Sequence, residues 1–536
     1  MVGVFCCAAI ASAQKGESNG NVAATVDLRM QDLLAQPVAN NWVSYNGDYS
    51  GQRFSRLDQI TTHNVGQLRA EWVFHVTTSG DLEATPLVVN GVMFIGAAND
   101  VYALDARTGR DIWHYQRSTT EGLIDDASQH HNRGVAIWRT RVYIETDNAH
   151  LLCLDARSGN LLWDVAYTDG NKNYGATGAP LVVKDRVLVG TSGGDDGVRG
   201  FLAAFDAQTG KLAWRFWIIP APGEPGAKSW PGTLYLHGGG TTWLPGTYDP
   251  ELNTLYWGTS NPAPDFDGDV RPGDDLYTDS VLAFDPDTGK LKWYFQFTPH
   301  DLFDYDAVET PVLIDSNYHG EDRKLLVQAN RNGFLYVLDR TNGKFLSATQ
   351  FAENLNWAEG IDEAGRPIRT SIEPSSEGTR VCPGYSGATN WQAPSYNPAT
   401  RMFYFLSLEE CSVYLRRPQE FAEGRTYYST GVRHSLSDPS RKILLAFQLD
   451  TGQFAWKYPQ VGSGHSSGGT MTTAGGLAFF GDDAESFEAV DAATGAALWH
   501  FHTGQVMRAS PMSFALAGKQ YVAIAAGNDV FAFALP

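Results

Sequence analysis

One alternation of apolar and polar residues recurs along the chain, followed each time by the same kind of turn. Each copy, such as VYALDARTGRDIW, joins an alternating strand, an Asp-x-x-Thr-Gly turn whose glycine supplies a positive φ, and a second strand carrying a large ring. The pattern therefore predicts a repeated β-hairpin. Six copies end in tryptophan and a seventh, LYVLDRTNGKFL, does not; the six are Trp113, Trp163, Trp214, Trp293, Trp456 and Trp499.

The spacing of the hairpins predicts the fold class. Neighbouring tryptophans of the clear copies are 50, 51, 79 and 43 residues apart, a range typical of four-stranded propeller blades. Segments such as ATPLVVNGVMFIGAAND supply two inner strands per unit. The seven hairpin copies and the region around Trp72 together predict an all-β, eight-bladed β-propeller, with seven blades as the alternative. We expect the two chain ends to share one blade and the tryptophans to pack between blades.

Composition and charge exclude several functions. The 536 residues are 43% hydrophobic, enough for a large core, and the formal net charge is −20. Because no Lys/Arg-rich run is present to neutralise phosphates, nucleic-acid binding is excluded. After residue 13 no apolar run approaches the roughly 20 residues that a membrane span needs.

The first residues predict export. MVGVFCCAAIASAQ is a short apolar segment with a small-residue cleavage site, so residues 1–13 are interpreted as the remnant of a signal peptide, with a buried N-terminal segment as the alternative. Residues 14–536 then form one propeller domain in the periplasm. In that oxidising compartment Cys382 and Cys411 can form a disulfide, and Cys153 is left as a core thiol.

Acidic residues crowd into TPHDLFDYDA, residues 298–307, where Asp301, Asp304 and Asp306 would repel one another unless a cation lies there. Repeat folds carry function where a copy departs from its siblings, in loops at the mouth of the central channel. Three further departures are QHHNRGVAI, TSGGDDGVRGFLAAFD, and HGGGTTWLPGTYDP with WGTSNPAPDFDGDVRPGDDLY.

Nine motifs occur in one order that resembles the methanol/ethanol dehydrogenase family of periplasmic quinoproteins, which hold pyrroloquinoline quinone (PQQ) in an eight-bladed propeller. They are EATPLVVNGVMF, NRGVA, TGAPLVV, SGGDDGVRG, GGGTTW, NPAP, TPHDLFDYD, ANRNGFLYVLDRTNGK and TNWQAPSYNP. The resemblance runs from about Trp42 to the C-terminus. It implies a PQQ-dependent oxidation of small alcohols to aldehydes.

The resemblance also implies a metal site. Asp195, Asn261 and Asp304 match the positions that hold one metal ion beside PQQ, with Asp195 replacing a family glutamate that reaches one methylene further. Asp306 matches an aspartate of the lanthanide-dependent branch, so a lanthanide is favoured and Ca²⁺ is the alternative. The competing interpretation of Asp306 is a solvated loop residue. Asp301 is expected to be a turn or surface residue.

By the same resemblance, Asp304 takes the hydroxyl proton of the alcohol while the hydride passes to PQQ, and Arg331 stabilises charge on the quinone oxygens. Trp243 matches the ring that lies flat under the quinone. The other matching cofactor positions are Glu83, Arg133, Thr177, Ser192, Gly193, Gly194, Thr241 and Asn390.

Three stretches depart from the family or from simple motifs. Ala127 and Ser128 stand where relatives carry two adjacent cysteines, so the roof of the site differs. His130 and His131 are expected to be loop residues, with a place in the roof as the alternative. DFDGDVRPGDD has its glycine at the wrong position for an EF-hand, which favours a solvated turn.

The sequence thus predicts an exported quinoprotein alcohol dehydrogenase without a haem domain. A separate electron carrier, a c-type cytochrome, is expected, and a homodimer is left open. A PQQ-dependent sugar or polyol dehydrogenase and a non-catalytic PQQ-like propeller scaffold are the alternatives. Substrate choice is expected to lie in WLPGTYDP and in the 351–382 insertion.

Overall fold

A computed structural model of the chain describes residues 26–78, 80–170, 173–435, 438, 440–462 and 467–536. The predicted signal segment 1–13 lies outside the described residues, as does the start of the predicted domain, 14–25. The regular secondary structure of the described part is almost entirely β-strand, which confirms the all-β prediction. No helix within these ranges has the length and apolar character required to cross a bilayer.

Eight sheets of four or five strands are present in the described ranges, nearly all of their pairs antiparallel. Sheet A has Leu87–Val89, Val92–Ala97, Asp100–Asp105 and Arg110–Tyr115; sheet B has Ala136–Trp138, Arg141–Glu145, His150–Asp155 and Leu161–Ala166; sheet C has Leu181–Val183, Arg186–Val189, Phe201–Asp206 and Leu212–Trp217; sheet D has Thr247–Asp249, Thr254–Gly258, Ser280–Phe284 and Leu291–Gln296. Sheet E has Val312–Tyr318, Glu321–Ala329, Phe334–Asp339 and Lys344–Gln350; sheet F has Ser395–Asn397, Met402–Glu409, Arg441–Gln448 and Gln453–Pro459; sheet G has Phe54–Ser55, Thr470–Thr473, Leu477–Gly481, Ser486–Asp491 and Ala497–His502; sheet H has Arg69–His75, Met512–Leu516, Lys519–Ala526 and Asp529–Ala534.

Smaller elements decorate these sheets. Two minor sheets are formed by Ala358–Ile361 with Pro367–Arg369, and by Thr379–Val381, Ser412–Arg416 and Thr430–His434. The α-helices are single turns, Met30–Leu33 and Asp125–Ser128; the 3₁₀ turns are Val65–Gln67, Gly194–Asp196, Ala227–Ser229, Leu234–His237 and Gly268–Val270.

The repeated motif folds as the predicted hairpin. In sheet C, Asp206 Oδ1 accepts hydrogen bonds from Thr209 N at 2.8 Å and Thr209 Oγ1 at 2.7 Å, which closes the turn. Gly210 follows at φ +69°, a conformation in which a Cβ would be strained. The aspartate and the glycine of the motif are therefore conformational requirements of the turn.

The repeated tryptophans join one sheet to the next. Trp214 of sheet C donates its indole N–H to Pro286 O of sheet D at 2.9 Å, and a Cβ on Gly289 would lie 2.5 Å from the same ring. A bare glycine backbone is thus what lets the indole seat on the neighbouring turn. Equivalent ring and glycine contacts pair Trp72 with Gly109, Trp113 with Gly159, Trp163 with Gly210, Trp293 with Gly343 and Trp456 with Gly495. The predicted role of these tryptophans between sheets is confirmed.

The two ends of the chain meet in sheet H. Arg69–His75 pairs antiparallel with the final strand, Asp529–Ala534, as the prediction of a shared closing unit required. Cys382 and Cys411 form the predicted disulfide, and Cys153 is the predicted buried free thiol. The inner strands carry the core, because their side chains are buried on both faces, whereas outer strands such as Leu161–Ala166 alternate between exposed and half-buried positions.

Candidate functional site

A single cavity of about 250 Å³ collects the predicted site residues. It is lined by Glu83, Arg133, Thr177, Ser192, Gly193, Gly194, Asp195, Thr241, Trp243, Asn261, Asp304, Asp306, Arg331 and Asn390, which is the whole predicted set. Residues from positions 83 to 390 meet here only through the tertiary fold.

Topology explains why these residues converge. The lining residues either precede the first strand of a sheet, as Glu83, Arg133 and Trp243 do, or follow the second strand, as Asn261 and Arg331 do. In an antiparallel sheet the first residue of one strand and the last residue of the next lie at the same end of the strands. Loops from sheets A to F therefore face one another at one end of the inner strands.

Arg331 joins two of the crowded aspartates. Its Nη1 donates to Asp306 Oδ2 at 2.7 Å, and its Nη2 lies 3.2 Å from Asp304 Oδ2 and 2.8 Å from Tyr385 O. All three charged side chains are at least nine-tenths buried. Asp304 also has φ +62°, a strained value for a residue with a Cβ. Such strain is typical of positions whose side chain must point in one direction.

Asp306 is held from several sides at once. Asn261 donates its backbone N–H to Asp306 Oδ1 at 2.8 Å, and the side chain of Trp243 also hydrogen-bonds to Asp306. The Asn261 amide in turn donates to Asp195 Oδ1 at 3.1 Å. Asp306 is 3% exposed, so the interpretation of this residue as a solvated loop position is wrong.

Burial dominates the electrostatics of this cluster. It raises the pKa of Asp304 well above its usual value, and the charge of Arg331 opposes this shift. Burial likewise raises the pKa of Asp306, again against Arg331. The carboxylates of Asp195 and Asp306 add to the shift at Asp304. Positive charge is therefore needed here if all three aspartates are to be ionised together.

An aromatic and cationic layer forms another wall. The Arg133 guanidinium lies 4.8 Å from the ring centroid of Trp243 and 4.9 Å from that of Trp391. Its Nη2 is 2.7 Å from Glu83 Oε2, and its Nη1 donates to Thr177 O at 2.8 Å. The indole faces and the guanidinium suit a planar anionic ligand.

The segment that departs from the family lies over the cavity. Asp125, Gln129 and His131 line it, and Tyr428 donates its hydroxyl hydrogen to Asp125 Oδ2. Burial lowers the pKa of His131, which is 3.5 Å from Glu83 Oε1, so the preference for a plain loop residue is wrong for His131. The prediction of a loop residue holds for His130, whose Nδ1 pairs with Asp147 at 2.9 Å.

Two further expectations are corrected. Asp301 is a turn residue, as predicted, but it is fully buried, with its carboxylate accepting from Phe303 N at 3.0 Å and Tyr305 N at 2.6 Å. The stretch from Asp265 to Asp275 is a solvated turn only in part: Asp269 and Asp274 are exposed, whereas Arg271 folds inward and pairs with Asp275 at 2.5 Å with both side chains fully buried.

Sequence reasoning missed part of the cavity wall. The additional lining residues are Asp125, Gln129, Asp196, Tyr385, Ser386, Trp391 and Arg508. Trp391 could have been found, since it follows Asn390 directly in a quoted motif, whereas Arg508 carries no local signal. Of the segments expected to choose the substrate, WLPGTYDP contributes only Trp243 and the described residues 351–382 contribute none.

The residues present fit both PQQ and a hard cation. At the wall, Ser192 Oγ and Arg133 Nε are buried and have no hydrogen-bond partner among the described residues, as expected of donors kept for a polyanionic ligand. The oxygen donors of Asp195, Asn261 and Asp304 suit a hard cation. Within the described ranges, no three His, Cys, Asp or Glu side chains are already arranged to hold a metal, and Arg331 instead bonds the aspartates.

Comparisons with known proteins cover most of the chain. The family model described as "PQQ: Glucose/ethanol/alcohol dehydrogenase, beta-propeller domain" matches residues 42–353 and 449–522. Quinohemoprotein alcohol dehydrogenase ADH IIB of Pseudomonas putida is 40% identical over 516 residues, 92% of this chain and 74% of that protein. Lanthanide-dependent methanol dehydrogenase of Methylacidiphilum fumariolicum (strain SolV) is 35% identical over 518 residues, 91% of this chain and 84% of that protein.

The fold agrees with a solved relative. The crystal structure of quinohemoprotein alcohol dehydrogenase from Comamonas testosteroni has a TM-score of 0.87 and 34% identity, covering 94% of this chain and 82% of that chain. Asn390 and Trp391 lie between the two ranges that the family model matches.

Proposed function

Because the chain belongs to the PQQ-dependent glucose/ethanol/alcohol dehydrogenase family of β-propellers, it is a quinoprotein alcohol dehydrogenase, and we propose that Asp304 and Arg331 carry its reaction. The observation that supports these roles is the buried contact of Arg331 with Asp304 and Asp306 in the cavity that holds every family-matched position. A small alcohol is the proposed substrate.

PQQ, when bound, supplies the acceptor for the hydride of the alcohol carbon. Trp243 offers the ring face for its planar body, and Arg133 the positive charge for a carboxylate. Asn390, the hydroxyls of Thr177, Ser192 and Thr241, and the bare backbone at Gly193 and Gly194 complete the proposed rim, with Glu83 orienting Arg133. Arg331 would supply positive charge beside the quinone oxygens and so offset negative charge there.

Asp304 is the proposed general base. Its carboxylate takes the hydroxyl proton of the alcohol as the hydride leaves, and burial keeps competing water away. Its positive φ directs the side chain into the cavity, and the contact with Arg331 fixes one carboxylate oxygen.

The proposed metal ligands are Asp195, Asn261, Asp304 and Asp306. A lanthanide is favoured over Ca²⁺, because a trivalent ion compensates more of the charge gathered here, and a lanthanide-dependent methanol dehydrogenase is among the relatives. The shorter side chain of Asp195, relative to glutamate, would require its loop to lie closer to the ion.

We also propose the finer architecture and setting. The eight sheets would each be one blade of a single domain over residues 14–536, with residues 1–13 as the signal remnant. The disulfide between Cys382 and Cys411 supports export to the periplasm. Electrons would pass to a separate c-type cytochrome, and a homodimer is the proposed alternative to a monomer.

The test reconstitutes the purified protein with PQQ and either Ca²⁺ or La³⁺ and measures dye-linked ethanol oxidation together with PQQ binding by absorbance. Asp304→Asn should lower activity about 10²-fold or more while PQQ still binds, because the variant loses the carboxylate that accepts the proton and that also serves as a proposed metal ligand. Asp306→Ala should abolish La³⁺-supported activity.

Asp267→Asn is the matched control, since Asp267 is a buried aspartate that does not line the cavity. Absence of PQQ binding with either metal would refute the assigned cofactor site. Full activity of Asp304→Asn would refute its role as base, and activity only with Ca²⁺ that is indifferent to Asp306 would refute the lanthanide assignment.

A further inference from the structure

The loop that follows Asn261 brings a carboxylate close to the cavity that no family motif predicted. Asp265 is 1% exposed, and neither of its side-chain oxygens has a hydrogen-bond partner among the described residues. A buried carboxylate without a partner is costly unless positive charge compensates it. The position of Asp265 therefore needs a physical explanation.

Backbone contacts tie Asp265 to the crowded aspartates. Arg271 Nη2 donates to Asp265 O at 2.8 Å and to Asp301 O at 2.6 Å, so one guanidinium joins this loop to the segment of Asp304. The next residue, Phe266, packs edge-on against Tyr385, which lines the cavity. Burial and then the charges of Asp195 and Asp304 raise the pKa of Asp265. Asp265 does not line the cavity itself, but its carboxylate lies within electrostatic reach of Asp195 and Asp304, two of the proposed metal ligands.

The neighbouring cations are already engaged. The Arg271 side chain pairs with the Asp275 carboxylate, and Arg331 bonds both Asp304 and Asp306. Neither guanidinium makes a hydrogen bond to the Asp265 carboxylate. Arg271 therefore offsets the charge of Asp265 without a hydrogen bond, and a cation bound at Asp195 and Asp304 would add compensating positive charge.

We propose that Asp265 is an additional charge-supplying residue of the metal site, and that its carboxylate shifts the preference of the site from divalent towards trivalent cations. This inference rests on the proposed metal site. Coulomb attraction scales with the charge of the ion, so at equal distance a tenfold loss of Ca²⁺ affinity corresponds to about a thirtyfold loss for a trivalent ion. Removing the negative charge of Asp265 should lower the ratio of trivalent to divalent cation affinity by about threefold or more.

The experiment titrates the full-length, PQQ-loaded protein with Tb³⁺, follows luminescence sensitised by nearby aromatic rings, and repeats the titration in competition with Ca²⁺. Asp265→Asn should weaken Tb³⁺ binding by about thirtyfold or more and Ca²⁺ binding by about tenfold. Asp267→Asn, two positions along the same loop, should leave both affinities unchanged, because its carboxylate already accepts a hydrogen bond from Asp269 N.

Two further measurements keep the outcomes distinct. Asp304→Asn should remove the Tb³⁺ signal; if it does not, the proposed metal site itself is wrong, and this inference falls with it. If Asp304→Asn removes the signal but Asp265→Asn leaves the ratio of Tb³⁺ to Ca²⁺ affinity unchanged, only the inference is overturned. The thermal midpoint of metal-free Asp265→Asn should equal or exceed that of the wild type, and a clear decrease would instead indicate a purely structural role.

Discussion

Glu145 provides a quantitative test of the electrostatics beside Trp243, with which it lines a small cavity. It ends the second strand of sheet B, is 2% exposed, and accepts a hydrogen bond from the Tyr167 hydroxyl at 2.9 Å. Burial raises the pKa of its carboxyl from 4.5 to about 8, and the bond from Tyr167 opposes this shift. The side chain is therefore protonated in the folded state at neutral pH, and Glu145→Gln replaces it with a neutral isostere.

The sign follows from proton binding. Between pH 4.5 and about 8 the unfolded chain carries an ionised Glu145 while the folded protein keeps the proton, so the free energy of unfolding falls as pH rises. The slope is about 1.4 kcal/mol per pH unit, and about 3.5 units give a loss of about 5 kcal/mol by pH 8. Glutamine cannot ionise and removes this contribution. Glu145→Gln should match the wild type near pH 4.5 and exceed it by about 5 kcal/mol at pH 8.

Reversible urea denaturation from pH 5 to 8.5, followed by tryptophan fluorescence, measures the difference. Glu363→Gln is the control, because Glu363 is exposed and should change the unfolding free energy little at any pH. A wild type and a Glu145→Gln variant whose unfolding free energies stay parallel across this range would refute the reasoning. So would a glutamine variant that is less stable at pH 8.

Three further predictions concern the sheets and the site. Gly289 has φ +69° and lies under the indole of Trp214, whereas Gly424 has φ +77° and open space around it. Gly289→Ala should therefore lower the free energy of unfolding by about 1–3 kcal/mol more than Gly424→Ala, and the two unfolding midpoints measure this difference. Replacing Cys382 and Cys411 by serine should cost about 3–4 kcal/mol, given their separation of 29 residues, and reductant should then have no further effect on the midpoint. Arg331→Gln should lower the free energy of unfolding of the metal-free protein by about 3–5 kcal/mol at neutral pH, because it breaks two buried ion pairs. This loss should shrink as pH falls, because Asp304 and Asp306 become protonated. A loss that does not change with pH would contradict the ion-pair explanation.

The alcohol dehydrogenase activity predicted from the motifs is confirmed by relatives that are named alcohol dehydrogenases, and neither the sugar dehydrogenase nor the scaffold alternative gains support. The prediction of the sheets was possible because it depends on the chemistry of short stretches of sequence. An Asp-x-x-Thr-Gly turn needs its glycine, and an indole needs the bare turn of the next hairpin, so periodicity alone predicted the sheets and their joining contacts. The shared closing sheet followed from the position of Trp72.

The wrong predictions share one cause: these residues are buried by contacts with segments far away in the sequence. Asp301 and the loop from Asp265 to Asp275 have polar sequences typical of exposed turns, but Arg271 pulls both inward and satisfies their backbone carbonyls. His131 lines the cavity beside Glu83, whereas the neighbouring His130 pairs with Asp147. No local pattern encodes such differences.

By itself, the sequence determined the class of fold, the repeated hairpins, the disulfide pair and the residues that gather around one cavity, because turn chemistry, alternation and motif order are local properties of the chain. Tertiary structure alone decided which carboxylates are buried, which of them Arg331 and Arg271 engage, and that the side-chain oxygens of Asp265 have no hydrogen-bond partner in the described structure. The physical reason is that desolvation and ion pairing depend on contacts between segments far apart in sequence, and these contacts exist only once the sheets close around the cavity.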